Sequence, residues 1–350
     1  MIPIAETAAR VYGYMVQDYS GQWGMDREAW DWVPGVGVIA MMEYGETFRR
    51  REVLDDLHEW EQRNRAKSAE LKVINAIAPF AIYAPLCRHT GDTYYYESSV
   101  RAAEWLLREA PRTREGAFEH TVTEEAQFPE QVWADTVFMA VLFLARTARL
   151  TGHAEYAKEA VEQSLIHMRL LQDKETDVLF HGWNCITSDH MSAARWTRAN
   201  AWVAAGIPEI VSEVGGLAPI PDELRIRYER LMKGLIRYQQ QDGLWSTVMD
   251  HPDYYREASG SAGIACGILR GIRSGWLSSE LAEAAGRALP ALVERIEADG
   301  CLSGVSGGTP VMESVEAYNR IACYPTLYGQ GLMLMLLNAF EAAKAEEEGR

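Results

Sequence analysis

The sequence predicts an all-α protein, an (α/α)6 barrel of six helical hairpins, and three observations point there. Apolar residues recur at spacings of three and four over most of the chain, as at Val137, Val141, Leu144 and Ala148, with Ala, Glu, Arg and Leu between them. Alternating, strand-like runs are few and short. Finally, two internal similarities share a period near 60 residues. Arg88-His89-Thr90-Gly91-Asp92-Thr93-Tyr94-Tyr95 returns 61 residues later as Arg149-Leu150-Thr151-Gly152-His153-Ala154-Glu155-Tyr156, and Asp242-Gly243-Leu244 returns 57 residues later as Asp299-Gly300-Cys301.

A period near 60 holds two helices with their turns, and 350 residues hold about six such pairs. Gly91 and Gly152 suit the left-handed residue that ends a helix. Each Asp-Gly copy is expected to end a helix and lead into a short extended piece. Six hairpins can close into a ring or stack as an open solenoid. Closure accounts for the lack of any linker or break in composition. Residues 1–343 therefore read as one barrel domain, and 344–350 as an acidic tail expected to fray.

Composition narrows the function. The chain is 48% hydrophobic and 24% charged, enough for a sizeable core. Its net charge of -16 argues against nucleic acid, which needs a basic surface. A small anionic ligand is compatible, because a few Arg or His side chains can dominate inside a pocket. Five cysteines at 87, 185, 266, 301 and 323 show neither CxxC spacing nor an even number, so no zinc site, disulfide framework or metal is expected. No basic-then-apolar leader and no membrane-length apolar run is present, so a cytoplasmic protein without membrane partners is expected. Nothing in the sequence sets the oligomeric state, and no cofactor motif stands out. The glycine run 303–309 lacks the Gly-Lys-Ser/Thr and preceding strand of a phosphate loop.

Acids and aromatics gather at helix ends, where a barrel places its mouth. In Phe128-Pro129-Glu130-Gln131-Val132-Trp133-Ala134-Asp135-Thr136, Asp135 stands where a helix begins near Val137. Capping is the plainer account of that position. The functional account is a carboxylic acid whose pKa is raised by the apolar ring of Trp133, so that it keeps a proton to donate. Phe180-His181-Gly182-Trp183-Asn184 puts a histidine beside a glycine that would let the backbone approach a ligand; a structural histidine is the plainer account. Arg195-Trp196-Thr197-Arg198-Ala199-Asn200-Ala201-Trp202 offers aromatics and an Arg suited to a sugar ring and its carboxylate, with core packing as the alternative for the tryptophans. Asp31-Trp32-Val33-Pro34-Gly35-Val36-Gly37 again pairs an acid with Trp before a helix, where capping is the plain account.

Taken in order, these segments resemble glycoside hydrolase family 105, the unsaturated rhamnogalacturonyl and related uronyl hydrolases, with family 88 as a close relative. Ile74-Asn75-Ala76-Ile77-Ala78-Pro79, Asp242-Gly243-Leu244-Trp245, Glu257-Ala258-Ser259-Gly260-Ser261-Ala262 and Tyr328-Gly329-Gln330-Gly331 extend the resemblance over nearly the whole chain. It implies an (α/α)6 barrel and a hydrolase that removes a 4,5-unsaturated uronic acid from a small lyase-generated oligosaccharide by hydrating the enol ether. Asp135 is then the catalytic acid, with Trp32, Asn75, His120, Trp133, His181, Trp196, Arg198 and Trp202 around the substrate. Two departures stand out: His120 lies fifteen residues before Asp135, with 121–127 reading as an insertion, and Asn75 stands where some relatives carry an acid. A sugar isomerase or epimerase on the same barrel, or a non-catalytic helical scaffold, are the alternatives. Few of the eight histidines fall in these segments, which disfavours the isomerase; Trp and acid clusters in the connections disfavour the scaffold.

Overall fold

In the computed structural model, which describes residues 2–68 and 72–348, helices form two concentric rings. The inner ring consists of α2 (Trp32–Thr47), a 3-10 segment (Asn75–Ile82) continuing into α4 (Tyr83–Thr90), and α6 (Leu142–Thr151), which follows a π-helical turn at Val137–Val141. It is completed by α8 (Thr197–Val214), α10 (Ala258–Arg273) and α13 (Leu327–Glu348). Around it lie α1 (Ile4–Met15), α3 (Arg51–Ser68), α5 (Thr93–Arg108), α7 (Ala154–Leu171), α9 (Asp222–Arg237) and α11 (Ala282–Val293). A four-residue helix, α12 (Val315–Tyr318), sits in the connection before α13.

Sequence sorts the rings. Helix α2 reads Val33-Pro34-Gly35-Val36-Gly37-Val38-Ile39-Ala40-Met41-Met42 without a charge and is buried on all sides, as an enclosed helix must be. By contrast, α3 and α9 carry an apolar stripe on an otherwise charged surface and bury mainly that side, with Leu57 and Trp60 in one and Tyr228 and Leu231 in the other. Successive inner helices touch: α2 with the 3-10 segment, that segment with α6, then α8, α10 and α13 in turn, and α13 with α2. The ring is therefore closed, not an open solenoid. Its sixth hairpin joins the two ends of the chain, because α1 packs outside α13.

Both internal repeats have a structural counterpart. Gly91 and Gly152 end α4 and α6 in the left-handed conformation, with φ of 74° and 73°. Asp242 and Asp299 each accept the backbone N–H two residues on, at 3.0 Å, in the turns that follow α9 and α11. The glycine of each turn lies against the next outer helix. A side chain on Gly243 would collide with the Arg287 carbonyl of α11, and one on Gly300 with the Arg10 carbonyl of α1. Arg10 also donates to the Glu297 carbonyl at 3.0 Å. The same turn thus places α1 after α11, where ring closure needs it.

The inner helices run parallel, so their N-termini share one end of the barrel and their C-termini the other. At the C-terminal end, Glu43 of α2 pairs with Arg146 of α6 at 3.1 Å and with Arg270 of α10. Those arginines also donate to the carbonyls of Ala81 and Ala205, tying neighbouring inner helices together. Helix α13 continues through Glu348, past residue 344 where a loose tail was expected; residues 349–350 lie outside the described residues.

Candidate active site

Six helix N-termini converge at the opposite end, and their aligned dipoles favour an anion there in spite of the net charge of -16. A cavity of about 460 Å³ opens among them, within the range of small-ligand sites. Seven of the residues expected around a substrate line it: Trp32, Asn75, His120, Trp133, Asp135, Trp196 and Arg198. Four of these carry a buried polar atom without a hydrogen-bond partner, namely Asn75 Oδ1, Asp135 Oδ2, Trp196 Nε1 and Arg198 Nε. Buried polar groups are ordinarily paired, so such a convergence marks a surface built for a ligand.

A two-stranded antiparallel ribbon sets the position of Asp135. Strands β1 (Gln131–Trp133) and β2 (Gly182–Asn184) pair Trp133 with Gly182, and the Ala134 N–H donates to the His181 carbonyl at 3.1 Å. The ribbon thus brings two segments some fifty residues apart to one point. Gly182 is closely packed by the protein itself: an added Cβ would lie 2.6 Å from Met191 Cε and 2.8 Å from Val311 Cγ2. The close approach expected there for a ligand is made instead by these side chains.

Asp135 is not a cap. It begins the helical stretch itself, no backbone N–H is donated to its carboxyl, and the wider π turn follows at Val137–Val141. His181 Nε2 lies 3.3 Å from Asp135 Oδ2, near enough to attract but not aligned as a formed hydrogen bond. Oδ2 is buried, yet the side chain keeps 13% exposure, so the rest of the carboxyl faces the cavity. Burial pushes its pKa upward, but His181, then His120 and Arg198, outweigh it and hold the carboxyl below the usual aspartate value. This corrects the expectation of a raised pKa: Trp133 supplies apolar surroundings, while the cationic and N–H-bearing neighbours win.

His181 is itself held from behind. Its Nδ1 lies 2.8 Å from the Tyr318 hydroxyl, whose oxygen accepts the Met312 N–H at 3.2 Å. That leaves the Tyr318 proton for Nδ1, and we assign the tautomer with hydrogen on Nε2, facing Asp135. His120 stacks on Trp133 at 4.1 Å and touches Thr136 Oγ1 at 3.2 Å. Burial lowers its pKa to about 3, so it stays neutral. Although distant in sequence from Asp135, it stands in the cavity wall, with segment 121–127 folded beside it.

Arg198 is a strut more than a clamp. Its guanidinium lies between the rings of Trp196 and Tyr328, 4.4 and 4.6 Å from their centroids. One terminal nitrogen donates to the carbonyl and hydroxyl of Ser306 and to Ser259 Oγ; the other donates to the Gly307 carbonyl and Thr309 Oγ1. Glu257, which caps α10, stands 3.6 Å away. A two-pronged grip on a sugar carboxylate is therefore ruled out, and only the Nε–H remains free. The glycine run 303–309 that superficially resembled a phosphate loop is the partner of this arginine.

His181 stands behind Asp135 and does not line the cavity. Trp202 leaves the site altogether: it is fully buried against Phe138, at 5.2 Å between rings. Six residues beyond Trp196 is about 9 Å deeper along the helix, on another face. Asp31 caps α2, as its plain reading held, donor Trp32 N lying 2.7 Å from Oδ1, while Trp32 stacks on Tyr328. Sequence reasoning missed Trp23, Tyr318, Tyr324 and the 308–310 wall, which come from connections with no local signature. Among the described residues no group of three His, Cys, Asp or Glu side chains is placed to hold a metal, and no helix is long and apolar enough to cross a membrane.

Known proteins share this architecture. The chain is 34% identical over 316 residues to the unsaturated rhamnogalacturonyl hydrolase YesR of Bacillus subtilis (strain 168), covering 88% of this chain and 89% of that protein. The crystal structure of a possible member of the GH105 family from Klebsiella pneumoniae superposes with a TM-score of 0.92 at 30% identity, covering 97% of this chain and 93% of that one. A possible GH105 member from Salmonella enterica gives 0.90 at 29%, covering 97% and 94%. These likenesses set aside the isomerase and scaffold alternatives. With the model of Glycosyl Hydrolase Family 88 matching residues 7–344, from the first outer helix to the last inner one, the chain belongs to that family of glycoside hydrolases.

Proposed function

We propose that this chain removes a 4,5-unsaturated uronic acid from the non-reducing end of a lyase-generated oligosaccharide of about disaccharide size, with Asp135 as proton donor. The observation that carries this reading is the convergence of unpaired polar atoms on Asp135, at the one barrel end whose helix dipoles favour an anion. The name of the Bacillus subtilis relative supports the same chemistry.

The substrate carboxylate is drawn toward the Nε–H of Arg198 and the helix N-termini. There it takes up the positive field that holds Asp135 ionised, and its own charge disfavours a second carboxylate nearby. Asp135 therefore gains a proton when substrate binds. It gives that proton to C4 of the enol ether, leaving a cation shared by C5 and the ring oxygen. Water adds at C5 and returns its proton to Asp135. The hemiketal then opens and the acetal carbon expels the neighbouring sugar, so one water is consumed and the acid is regenerated. Because no second carboxylate is needed, Asn75 is no obstacle; its Oδ1 can accept from a sugar hydroxyl.

We also place the protein in a reducing, cytoplasmic setting, which suits its five free cysteines. The test of function is to incubate the protein with a panel of unsaturated disaccharides and follow loss of the ultraviolet absorbance of the conjugated enol-uronate. Asp135→Asn is expected to lower the rate by about 10²–10⁴, the usual contribution of a positioned acid. Full activity in that variant would sink the mechanism.

A further inference from the structure

The inner and outer halves of the cavity differ in chemistry. Inside are Asp135, Trp196 and Arg198; at the mouth are Trp23, Tyr324, Val122, Ala126, Pro310 and Glu124. Trp23 and Tyr324 are 49% and 42% exposed, unusual for such large rings in a chain that buries most of its aromatics. Both are propped by backbone. A Cβ on Gly308 would lie 2.6 Å from the Trp23 ring, and one on Gly307 2.6 Å from the Tyr324 hydroxyl, so each ring rests on the 307–308 loop with its remaining surface free. Trp32 meets Trp23 edge-on at 6.3 Å and continues the aromatic surface inward.

Charge is polarised along the same axis. The positive field lies deep, at Arg198 and the helix N-termini. At the mouth the carboxylate is Glu124, and Thr123 beside it donates to Asp31, the α2 cap, at 2.6 Å, which ties this rim to α2. Among the described residues that line the cavity, Arg198 is the one cation, and all but one of its nitrogens are committed inside the protein. A sulfate or carboxylate at the mouth would lose water, gain no counter-charge and face Glu124.

We infer that the mouth, where the released sugar of such a disaccharide must sit, is made selective by Glu124 and the 121–127 segment. It takes an uncharged residue that offers a C–H face to Trp23 and Tyr324, and Glu124 selects against one bearing sulfate or carboxylate. This rests on the inner half being the uronate site. The segment 121–127, which reads as an insertion, then acts as the selectivity wall. Thr121 fixes its start, accepting the Asn75 N–H through its carbonyl at 3.1 Å and the Ile74 N–H through its hydroxyl at 2.8 Å.

The experiment compares unsaturated uronyl-rhamnose with the same disaccharide sulfated on the rhamnose, in the wild type and in Trp23→Ala, Tyr324→Ala and Glu124→Lys. The wild type is expected to prefer the neutral substrate by at least about tenfold in kcat/KM, and Glu124→Lys to narrow that ratio. Either aromatic truncation should weaken the neutral substrate by about tenfold, with the loss falling mainly on KM, as for a removed stacking contact. Equal kcat/KM on the two disaccharides, or aromatic variants with unaltered KM, would overturn the subsite while leaving the uronate reading intact. No turnover of either by the wild type would sink the uronate reading and the subsite with it.

Discussion

Replacing His181 by Phe should move the pH dependence of the reaction upward by up to about one unit. The ring keeps its place against Trp196 and Trp133, 4.4 and 5.4 Å away, while the nitrogen 3.3 Å from Asp135 Oδ2 is lost. A formed hydrogen bond to a charged group contributes about 1.5–3 kcal/mol; this contact attracts without the alignment of one, so it contributes no more than the lower figure. About 1.4 kcal/mol is one pKa unit. In the proposed mechanism Asp135 must be protonated to act, so activity falls as pH rises through its pKa; loss of His181 raises that pKa, and the basic limb of kcat/KM shifts to higher pH. In the wild type the same limb should lie lower for kcat/KM, which reports the free protein, than for kcat, which reports the complex carrying the substrate carboxylate. The assay is the ultraviolet decay of an unsaturated disaccharide across pH. A limb that stays put or moves to lower pH in His181→Phe would refute the account of how Asp135 is held.

Tyr318 positions His181, so Tyr318→Phe should lower kcat by about tenfold with little change in KM, and should shift the basic limb in the same direction as His181→Phe; a change confined to KM would contradict it. Gly300→Ala would drive a methyl into the Arg10 backbone at a φ of 99°, costing roughly 2 kcal/mol, and should expose α1 to hydrogen exchange before the rest of the barrel; uniform exchange would speak against α1 as the closing helix. Burial lowers His120 to about 3 and His167 to about 4, so between pH 6 and about 4 the unfolded chain binds up to two protons that the native one does not. Stability should therefore fall on acidification by up to about 2.7 kcal/mol per pH unit in that window, read as the urea midpoint; a flat profile there would show that both histidines already protonate in the native state.

Sequence alone determined the helical class, the two-helix period and the residues of the candidate segment around Asp135. Those features are local: the 3.6-residue periodicity of α2 or α9, the left-handed glycines after α4 and α6, and the Asp-Gly turns each depend on neighbours within a few positions. The run of motifs around Asp135, Trp196 and Arg198 was legible for the same reason. What each side chain does there was settled by partners far along the chain. Asp135 answers to His181 and Arg198, and His181 to Tyr318, 137 residues away. Arg198 is committed to Ser306, 108 residues on. Only the closed ring brings these together, and only then do burial and competing charges fix a pKa's direction. Trp202 and Trp23 make the same point from opposite sides. A motif tryptophan turned into the core because of its angle on the helix, whereas one in an unremarkable loop reached the mouth because closure of the barrel placed it there.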